Sequence, residues 1–274
     1  MNNLSRRASL LSLAVGLVAL SAPSLAWASA PESSPPPPPS PPDPSDPGFV
    51  RYLLNRIDDL HRGESSHGVL QMRVKTEHWT RSMAMESWSL GTELSLIRIL
   101  EPKKERGTAT LKAGDDLFTF LNKTGRTVKI TGAMMGGSWM GSHFTNDDLV
   151  KDTRLADDFA AELSAGPEID GAPSHVLTLT PRPDAPVVWG RVEITVRAGD
   201  LMPVKQLFYD EDGAPSRRLD YGDFREIGGR TIATRITMTP LDRPDEFTEI
   251  RYARLEFDVD LKREFFTLQQ LQSM

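Results

Sequence analysis

Serine, histidine and acidic side chains are the residues of this sequence that could carry out nucleophilic or acid–base chemistry. Residues 137–141, Gly-Ser-Trp-Met-Gly, resemble a nucleophile elbow, but the second glycine is displaced by one position and no strand-to-helix turn is expected at the serine. No H-E-x-x-H motif is present, and the histidines are not spaced as metal ligands. These histidines are His61, His67, His78, His143 and His175. We therefore expect no catalytic residues, no metal site and no cofactor, so the protein is not predicted to be an enzyme.

Acidic pairs and clusters have simpler structural interpretations. Residues 210–213, Asp-Glu-Asp-Gly, stand between two predicted strands, where Asp-Gly is typical of a hairpin turn. A calcium loop would also need a distal glutamate, which is missing here. Asp147-Asp148 and Asp157-Asp158 are interpreted as solvated helix faces, since no second acid at a defined strand position accompanies them.

Composition excludes several classes of function. The 274 residues contain no cysteine, which excludes disulfides, thiolate metal sites and a lipid-modified N-terminal cysteine. Removal of an N-terminal signal would leave 30 basic and 38 acidic residues, a formal charge of −8. A chain this acidic is not expected to hold nucleic acid or an anionic membrane by charge.

The N-terminal region has the pattern of an export signal. Arg6 and Arg7 precede an apolar stretch too short to span a bilayer, and a small-residue site ends at Ala28. Residues 1–28 are therefore predicted to be a signal peptide, exported by either the Sec or the twin-arginine route. Residues 29–47 are predicted to form a Pro-rich disordered linker, and residues 48–274 a single domain.

Hydrophobic periodicity divides this domain into helices and many strands. Apolar residues from Phe49 to Leu60 recur every three or four positions, which predicts a helix that ends before Gly63. The period then changes to two, with Leu70, Met72 and Val74 on one face, and short predicted strands follow to about residue 131. Residues 146–164 are predicted to form a second amphipathic helix.

Strands resume after the second predicted helix and continue to residue 257. In residues 189–196, Val192, Ile194 and Val196 share a face opposite polar residues, as in a sheet with one side exposed to water. So many antiparallel strands must be closed, rolled or stacked to bury their apolar face. A rolled sheet with the two helices across its opening would bury the apolar faces, or stripes, of all the predicted strands and of both helices. A two-sheet sandwich would bury the stripes too but leaves the second helix unexplained.

Residues 134–144, MMGGSWMGSHF, combine three methionines and two aromatic residues with three glycines and no full charge. Methionine is unbranched and fills irregular gaps, so it suits a surface that shelters ligands of varying shape. A chain with apolar surface to spare and no catalytic groups is suited to binding acyl chains. The alternative, which the sequence leaves open, is that these side chains belong to an ordinary core.

Several motifs resemble one known family. The segment 138–152, SWMGSHFTNDDLVKD, is the most specific, and 98–112, 209–213, 236–238 and 265–272 follow the same order. They are similar to the outer-membrane lipoprotein-sorting family of LolA-like periplasmic carriers, across most of residues 69–272. His143 departs from the acid that many members have at that position. The Pro-rich segment lies outside the resemblance.

This resemblance implies a mainly β (α+β) fold, a half-open antiparallel β-barrel wrapped around an apolar cavity with a helical lid. It implies a periplasmic carrier that binds acyl chains of lipoproteins or lipids and moves them towards the outer membrane, with an inner-membrane lipid or lipoprotein exporter as a partner. Nucleic acid is not an expected partner, and the chain is not expected to span the membrane. A second hypothesis is an envelope sensor that binds lipoproteins and signals to a protein partner.

On this reading the side chains of the glycine-rich segment and of the helix after it line the mouth of the cavity or its lid. The candidate lipid-binding residues are Met134, Met135, Trp139, Met140, Phe144 and Leu149. Arg98 and Arg106 border predicted strands and are the candidates to meet a polar head group.

Overall fold

The computed structural model describes residues 41–61, 63–150, 155–183, 185 and 187–273, without the side chain of Val150. The predicted signal peptide and residues 29–40 of the predicted linker lie outside the described residues. The predictions for these two segments therefore stay predictions.

The described chain opens with the expected helix, α1, over Phe49–Asp59. Phe49, Leu53 and Leu54 are buried, and the full burial of each such side chain stabilises the fold by about 1.5–3 kcal/mol. Gly63 follows with a φ of 62°, a backbone conformation that glycine adopts at low cost and that turns the chain into the first strand. The predicted helix and its end are confirmed.

Among the described residues, thirteen strands form one antiparallel sheet. The first six are β1 Ser65–Lys75, β2 Thr80–Leu90, β3 Leu94–Glu101, β4 Ala109–Ala113, β5 Asp116–Leu121 and β6 Arg126–Ile130. The other seven are β7 Phe159–Ala165, β8 Ser174–Pro181, β9 Arg191–Arg197, β10 Pro203–Tyr209, β11 Pro215–Ile227, β12 Arg230–Pro240 and β13 Phe247–Phe257. Because one sheet holds all of them, the two-sheet sandwich is wrong.

The order of strands across the sheet is β6-β5-β4-β3-β2-β1-β13-β12-β11-β10-β9-β8-β7. Each half of the chain is thus a meander of sequential neighbours, and the pairing of β1 with β13 joins the two halves. Within the described residues β6 and β7 are the end strands and do not pair with each other, so the sheet is not closed. The mainly β, open antiparallel fold is confirmed at this level.

Residues 131–158, named here the crossing segment, connect the two end strands. In its described part the segment contains α2 Gly132–Met135, a 3₁₀ turn Trp139–Gly141, α3 Asp147–Val150 and α4 Leu155–Asp158. Since its ends join strands at opposite edges of the sheet, the segment must run from one edge to the other.

The prediction of a helix over residues 146–164 is wrong beyond residue 158. Phe159 and Leu163 lie on strand β7, where they pair with Pro181 and Leu177 of β8. Residues four positions apart share a face in a strand as well as in a helix, so this spacing does not distinguish the two. The alternation of Phe159, Ala161 and Leu163 with more exposed neighbours has the period of two that pairing with β8 requires.

The sheet register places many apolar residues of both halves on one face, named here the inner face. Directly paired neighbours run along a row from β9 to β1. The members of this row are Ile194, Gln206, Leu219, Met238, Thr248 and Val74. Val192, Ile194 and Val196 are buried on this face, so the predicted one-sided strand is confirmed.

In the part of the chain that the structure describes, two clusters of buried side chains lie on the inner face. Helix α1 packs with Leu177, Leu179 and Ile194 over strands β8 and β9. Met72, Met85 and Ile99 form the second cluster over β1–β3. The opposite, outer face carries a third cluster, in which Leu96 and Leu111 pack under a C-terminal helix, α5, over Leu268–Gln272.

Candidate functional site

The glycine-rich part of the crossing segment is a compact loop held by its own backbone. Trp139 N–H donates to Phe144 O at 2.8 Å, and Asn146 N–H donates to Gly137 O at 3.0 Å. Met140 and Gly141 both have a left-handed backbone, with φ of 49° and 71°. Two successive left-handed residues make the sharp turn that brings Trp139 and Phe144 together, which is one reason for glycine in this segment.

Strands β2 and β4 hold this loop on the inner face. Trp139 is buried in the β1–β3 cluster, and its indole Nε1–H donates to Thr110 Oγ1 of β4 at 3.2 Å. Arg81 Nη1 of β2 donates to Met140 O at 3.0 Å and also pairs with Glu105. The loop is therefore anchored by a buried aromatic ring and a charged hydrogen bond.

His143 attaches the crossing segment to the β12–β13 hairpin. Its backbone N–H donates to Thr248 Oγ1 at 2.9 Å, its Nδ1 lies 2.9 Å from the same oxygen, and its Nε2 lies 3.1 Å from Glu246 Oε2. Hydrogen bonds from the Glu77 amide and from His143, together with the charge of Arg243, lower the pKa of the Glu246 carboxyl. Thr248 is fully buried, so its hydroxyl is a structural partner of His143 and does not face solvent as a nucleophile must.

Arg217 of β11 makes the most extensive charged contact with the crossing segment. Its guanidinium lies over the rings of Trp189 and Phe208, at 4.3 and 4.6 Å from their centroids. Two of its nitrogens donate to the Asp148 carboxylate at 2.6 and 2.8 Å. This is a two-pronged ion pair stacked on aromatic faces, the geometry that favours arginine over lysine.

The Arg217–Asp148 pair is well shielded from water, with side chains 12% and 21% exposed. Burial raises the pKa of the Asp148 carboxyl, but the hydrogen bonds and charge of Arg217, together with bonds from Thr145, outweigh burial. The pKa of Asp148 is consequently held below its ordinary value. At neutral pH the two side chains therefore form a carboxylate–guanidinium ion pair, which holds α3 on the sheet.

An apolar pocket of about 310 Å³, named pocket A, lies on the inner face between the crossing segment and strands β9–β12. Asp148 and Arg217 stand at its wall, and Gln206 is among its other polar residues. Most of its lining is apolar and includes Phe144, Leu155, Phe159, Val187, Val188, Trp189, Val192, Phe208, Leu219 and Met238.

A second pocket of about 510 Å³, named pocket B, lies near the other edge of the sheet. Met134, Trp139 and Met140 form its wall on the crossing segment. Strands β3, β5 and β6 supply most of the facing wall, with Ile99, Thr119, Leu121, Val128 and Ile130, and the β3–β4 connection adds Thr108. The crossing segment thus has an apolar pocket on each side.

A wider groove of about 860 Å³, named the rim groove, opens along the hairpin tips. It contains residues of the β1–β2, β10–β11 and β12–β13 turns, such as Glu77, Asp210 and Asp242. Four residues line both the rim groove and pocket A, namely Phe144, Trp189, Arg217 and Met238. Pocket A therefore shares part of its wall with the more polar rim groove.

The structure brings most of the candidate lipid-binding residues to one place. Trp139 belongs to the buried β1–β3 cluster, and Met140, Phe144 and Leu149 pack against that cluster. Met134 is exposed on the wall of pocket B. The sixth candidate, Met135, is half-buried and lines neither pocket A nor pocket B. Their binding of lipid stays a prediction.

The two arginines suggested as head-group contacts lie elsewhere. Arg98 is on the outer face, where its Nη2 donates to Gln270 O of α5 at 2.6 Å and its guanidinium lies over Trp88. Arg106 donates from Nε to Leu100 O at 2.9 Å. Arg98 therefore holds the C-terminal helix in place.

The predicted turn at residues 210–213 is confirmed. Asp210 Oδ1 accepts from Ala214 N–H at 2.8 Å, and Gly213 has a φ of 81° between β10 and β11. In the described ranges no cluster of histidine and acidic residues has the arrangement of a metal site.

Sequence reasoning missed Arg217, Trp189 and Phe208. Alternation places Arg217 on the same strand face as Leu219, which is a weak signal that its charge faces inward. The contact with Phe208 depends on the pairing of β10 with β11, where the two residues are direct partners. No local motif indicates that register.

No helix among the described residues has the length and apolar character needed to cross a bilayer.

Comparison with known proteins adds the family and the fold. A family model described as "-like: Uncharacterized protein" matches residues 91–273, about two thirds of the chain. No curated protein matches the chain.

Three crystal structures share the fold. A DUF1329 family protein from Desulfovibrio piger has a TM-score of 0.72 at 22% identity, covering 83% of this chain and 100% of that one. A domain from Vibrio parahaemolyticus named for outer-membrane lipoprotein sorting has a TM-score of 0.69 at 20% identity, covering 82% and 97%. A LolA superfamily protein from Nitrosomonas europaea has a TM-score of 0.66 at 24% identity, covering 80% and 98%.

The names of these proteins indicate no catalytic family, and they agree with the resemblance found in the sequence motifs. The chain belongs to the family whose model matches residues 91–273, and its fold is that of the LolA superfamily.

Proposed function

We propose that this protein is a periplasmic carrier that binds acyl chains of lipoproteins or lipids on the inner face of its sheet and moves them towards the outer membrane. The observation that carries the proposal is pocket A, which is mostly apolar, lies under the crossing segment and adjoins the rim groove. The names of two similar structures, which refer to lipoprotein sorting and to the LolA superfamily, support the same function.

A carrier must replace the contact of an acyl chain with its membrane by an equally apolar contact. Exposure of about 14 methylenes to water costs on the order of 11 kcal/mol, at ~0.8 kcal/mol per methylene. Pocket A and pocket B, at about 310 and 510 Å³, fall in the size range of small-molecule sites in proteins. Phe144 lines pocket A, and Met134, Trp139 and Met140 line pocket B, so four of the six candidate residues have a place beside a chain.

The crossing segment is the element that covers the ligand in this proposal. It is attached to the sheet by a few polar contacts, at Thr110, Arg81, Thr248 and Arg217, and its two flanks border the pockets. Displacement of the segment at Arg217 would widen pocket A towards the rim groove without unpairing any strand. Entry and release of a chain would then require breaking side-chain contacts alone.

Native mass spectrometry with lipid extraction tests the proposal directly, on the mature protein purified from its own periplasm. Co-purifying acyl-chain masses, or stoichiometric uptake of an added palmitoyl lipopeptide, are expected. A clean apo mass together with no uptake of added lipid or lipopeptide would refute the carrier.

Charged substitutions test which pocket holds the chain. Val188 lines pocket A and is 53% exposed, so Val188→Glu should fold normally while placing a carboxylate in the pocket and lowering uptake at least tenfold. Leu268→Glu is the matched control, because Leu268 is 46% exposed on α5 at the outer face. Met134→Glu makes the same test of pocket B. Equal uptake by Val188→Glu, Met134→Glu and the control would contradict the assignment to both pockets.

Export is part of the same proposal. Residues 1–28 would be removed as a signal peptide, and residues 29–47 would connect the mature N-terminus to the domain. N-terminal sequencing of the periplasmic protein should give Ser29 as the first residue, whereas an intact Met1 would contradict export by cleavage.

A further inference from the structure

The rim groove, which shares part of its wall with pocket A, carries an excess of negative charge. Its acidic residues are Glu77, Asp210, Asp242 and Glu246, and its basic residues are Arg217 and Arg243. With its two histidines counted as neutral, the lining has a formal charge of −2. A neighbouring pocket adds Lys75 and Asp245, one charge of each sign, so the balance does not change.

Both arginines of the groove are already paired with carboxylates. Arg217 holds Asp148 through two hydrogen bonds and lies over two aromatic rings. Arg243 donates from Nη1 to Glu246 Oε2 at 2.9 Å and from Nε to Asp242 Oδ2 at 3.3 Å. An anionic group would have to compete with these carboxylates for either guanidinium.

The acids differ in how firmly they are held. Glu246 is nearly buried and accepts bonds from the Glu77 amide at 2.9 Å and from Arg243. The side chains of Glu77 and Asp242 are exposed to solvent at the rim. These two carboxylates can be neutralised without removing a buried contact, which makes them suitable for substitution.

An amphiphile with its chain in pocket A would leave the pocket past Phe144 and Met238, which line both spaces, and place its polar end in the rim groove. We propose that the rim groove is the head-group subsite and that it selects amphiphiles with an uncharged or cationic head over those with an anionic head. This inference rests on the proposed carrier function. The basis is charge complementarity, since repulsion between like charges acts within a Debye length of about 10 Å at 0.1 M salt.

The test uses three fluorescent probes that share one palmitoyl chain. Their heads are short peptide amides with no charge, two lysines or two aspartates, and affinity is measured by fluorescence polarisation. At low salt the uncharged and lysine probes should bind at least tenfold more tightly than the aspartate probe, and this ratio should fall as salt rises. The double substitution Glu77→Gln/Asp242→Asn should reduce the ratio to below about threefold at unchanged affinity for the uncharged probe.

The matched control is Glu162→Gln/Glu226→Gln, which removes the same number of charges from exposed positions outside the groove. This control variant should keep the full ratio of affinities between the uncharged or lysine probe and the aspartate probe. Equal binding of all three probes, or the same loss of discrimination in the control, would overturn the head-group inference and leave the carrier function intact. Failure of every probe to bind would instead overturn the carrier function on which the inference rests.

Discussion

The ion pair between Asp148 and Arg217 holds the crossing segment on the sheet and should make a measurable contribution to the free energy of unfolding. Removal of one partner from a fully buried pair costs about 3–5 kcal/mol, whereas exposed pairs contribute about 0.2–1 kcal/mol. With side chains 12% and 21% exposed and two short hydrogen bonds, this pair lies between those limits. Asp148→Asn should therefore lower the free energy of unfolding by about 2 kcal/mol at pH 7.

A double-mutant cycle isolates the pair from other contacts of Asp148. Arg217→Met keeps an apolar stem between the two aromatic rings, and the cycle with Asp148→Asn should give a coupling energy of about 2 kcal/mol by urea unfolding. Arg51 and Asp157 provide the matched control, as a 3.0 Å pair whose side chains are 67% and 58% exposed. Its coupling should stay below about 0.5 kcal/mol. Equal couplings for the two pairs would refute the reasoning from burial.

The pH dependence of the same cycle gives an independent test. The folded-state pKa of Asp148 is lowered, so the stability from its carboxylate is present above the ordinary pKa and is lost as pH falls through the folded-state value. The coupling should be constant from pH 7 down to about pH 4 and disappear in stronger acid. A coupling that persists at about pH 2 would show that the contact does not depend on the carboxylate charge.

Three further outcomes follow from other parts of the structure. Trp139→Ala should lower the free energy of unfolding, measured in urea, by about 3–5 kcal/mol. Trp139→Phe should lower it by about 1–2 kcal/mol, because Thr110 loses its indole donor. Equal losses of stability in the two variants would contradict the buried hydrogen bond. Gly141→Ala should lower the free energy of unfolding by about 1–2 kcal/mol, because Gly141 has a φ of 71°. Gly136→Ala has open space around the new Cβ and should leave the stability unchanged or raise it. Equal melting temperatures for the two variants would contradict this difference. Leu271→Ala should cost about 2–4 kcal/mol and leave lipid uptake per folded molecule unchanged, because the buried leucine of α5 packs on the outer face; a change in uptake would show that this face takes part in binding.

The strands could largely be predicted, because apolar and polar residues alternate with a period of two along a strand that has one buried face. Strands β8 and β12, over Ser174–Pro181 and Arg230–Pro240, lie in the region where the sequence predicts strands up to residue 257. The sequence pattern extends the predicted helix over residues 159–164 because Phe159 and Leu163 satisfy both periods. The pairing with β8 that decides between them is a long-range contact, which local pattern does not contain.

The candidate site was predictable in composition and not in geometry. Residues 134–144 include side chains that pack on the inner face, and Trp139, Met140 and Phe144 lie beside pockets, but their role in lipid binding stays a prediction. The stacking of Arg217 on Trp189 and Phe208 required the register of β10 against β11 and the path of the crossing segment. Both depend on contacts between residues far apart in sequence.

The strand order has a consequence for how the protein folds. Each meander is built from neighbours in sequence and can form locally, but the seam between β1 and β13 joins residues as far apart as Ser66 and Phe257. Closing so long a loop is slow, so the seam is expected to form after both meanders. During synthesis β13 is the last of the described strands to emerge. Until it pairs with β1, the apolar rows of the two meanders are separate and open, and a nascent chain is exposed to aggregation at the inner face, where we propose that the ligand binds.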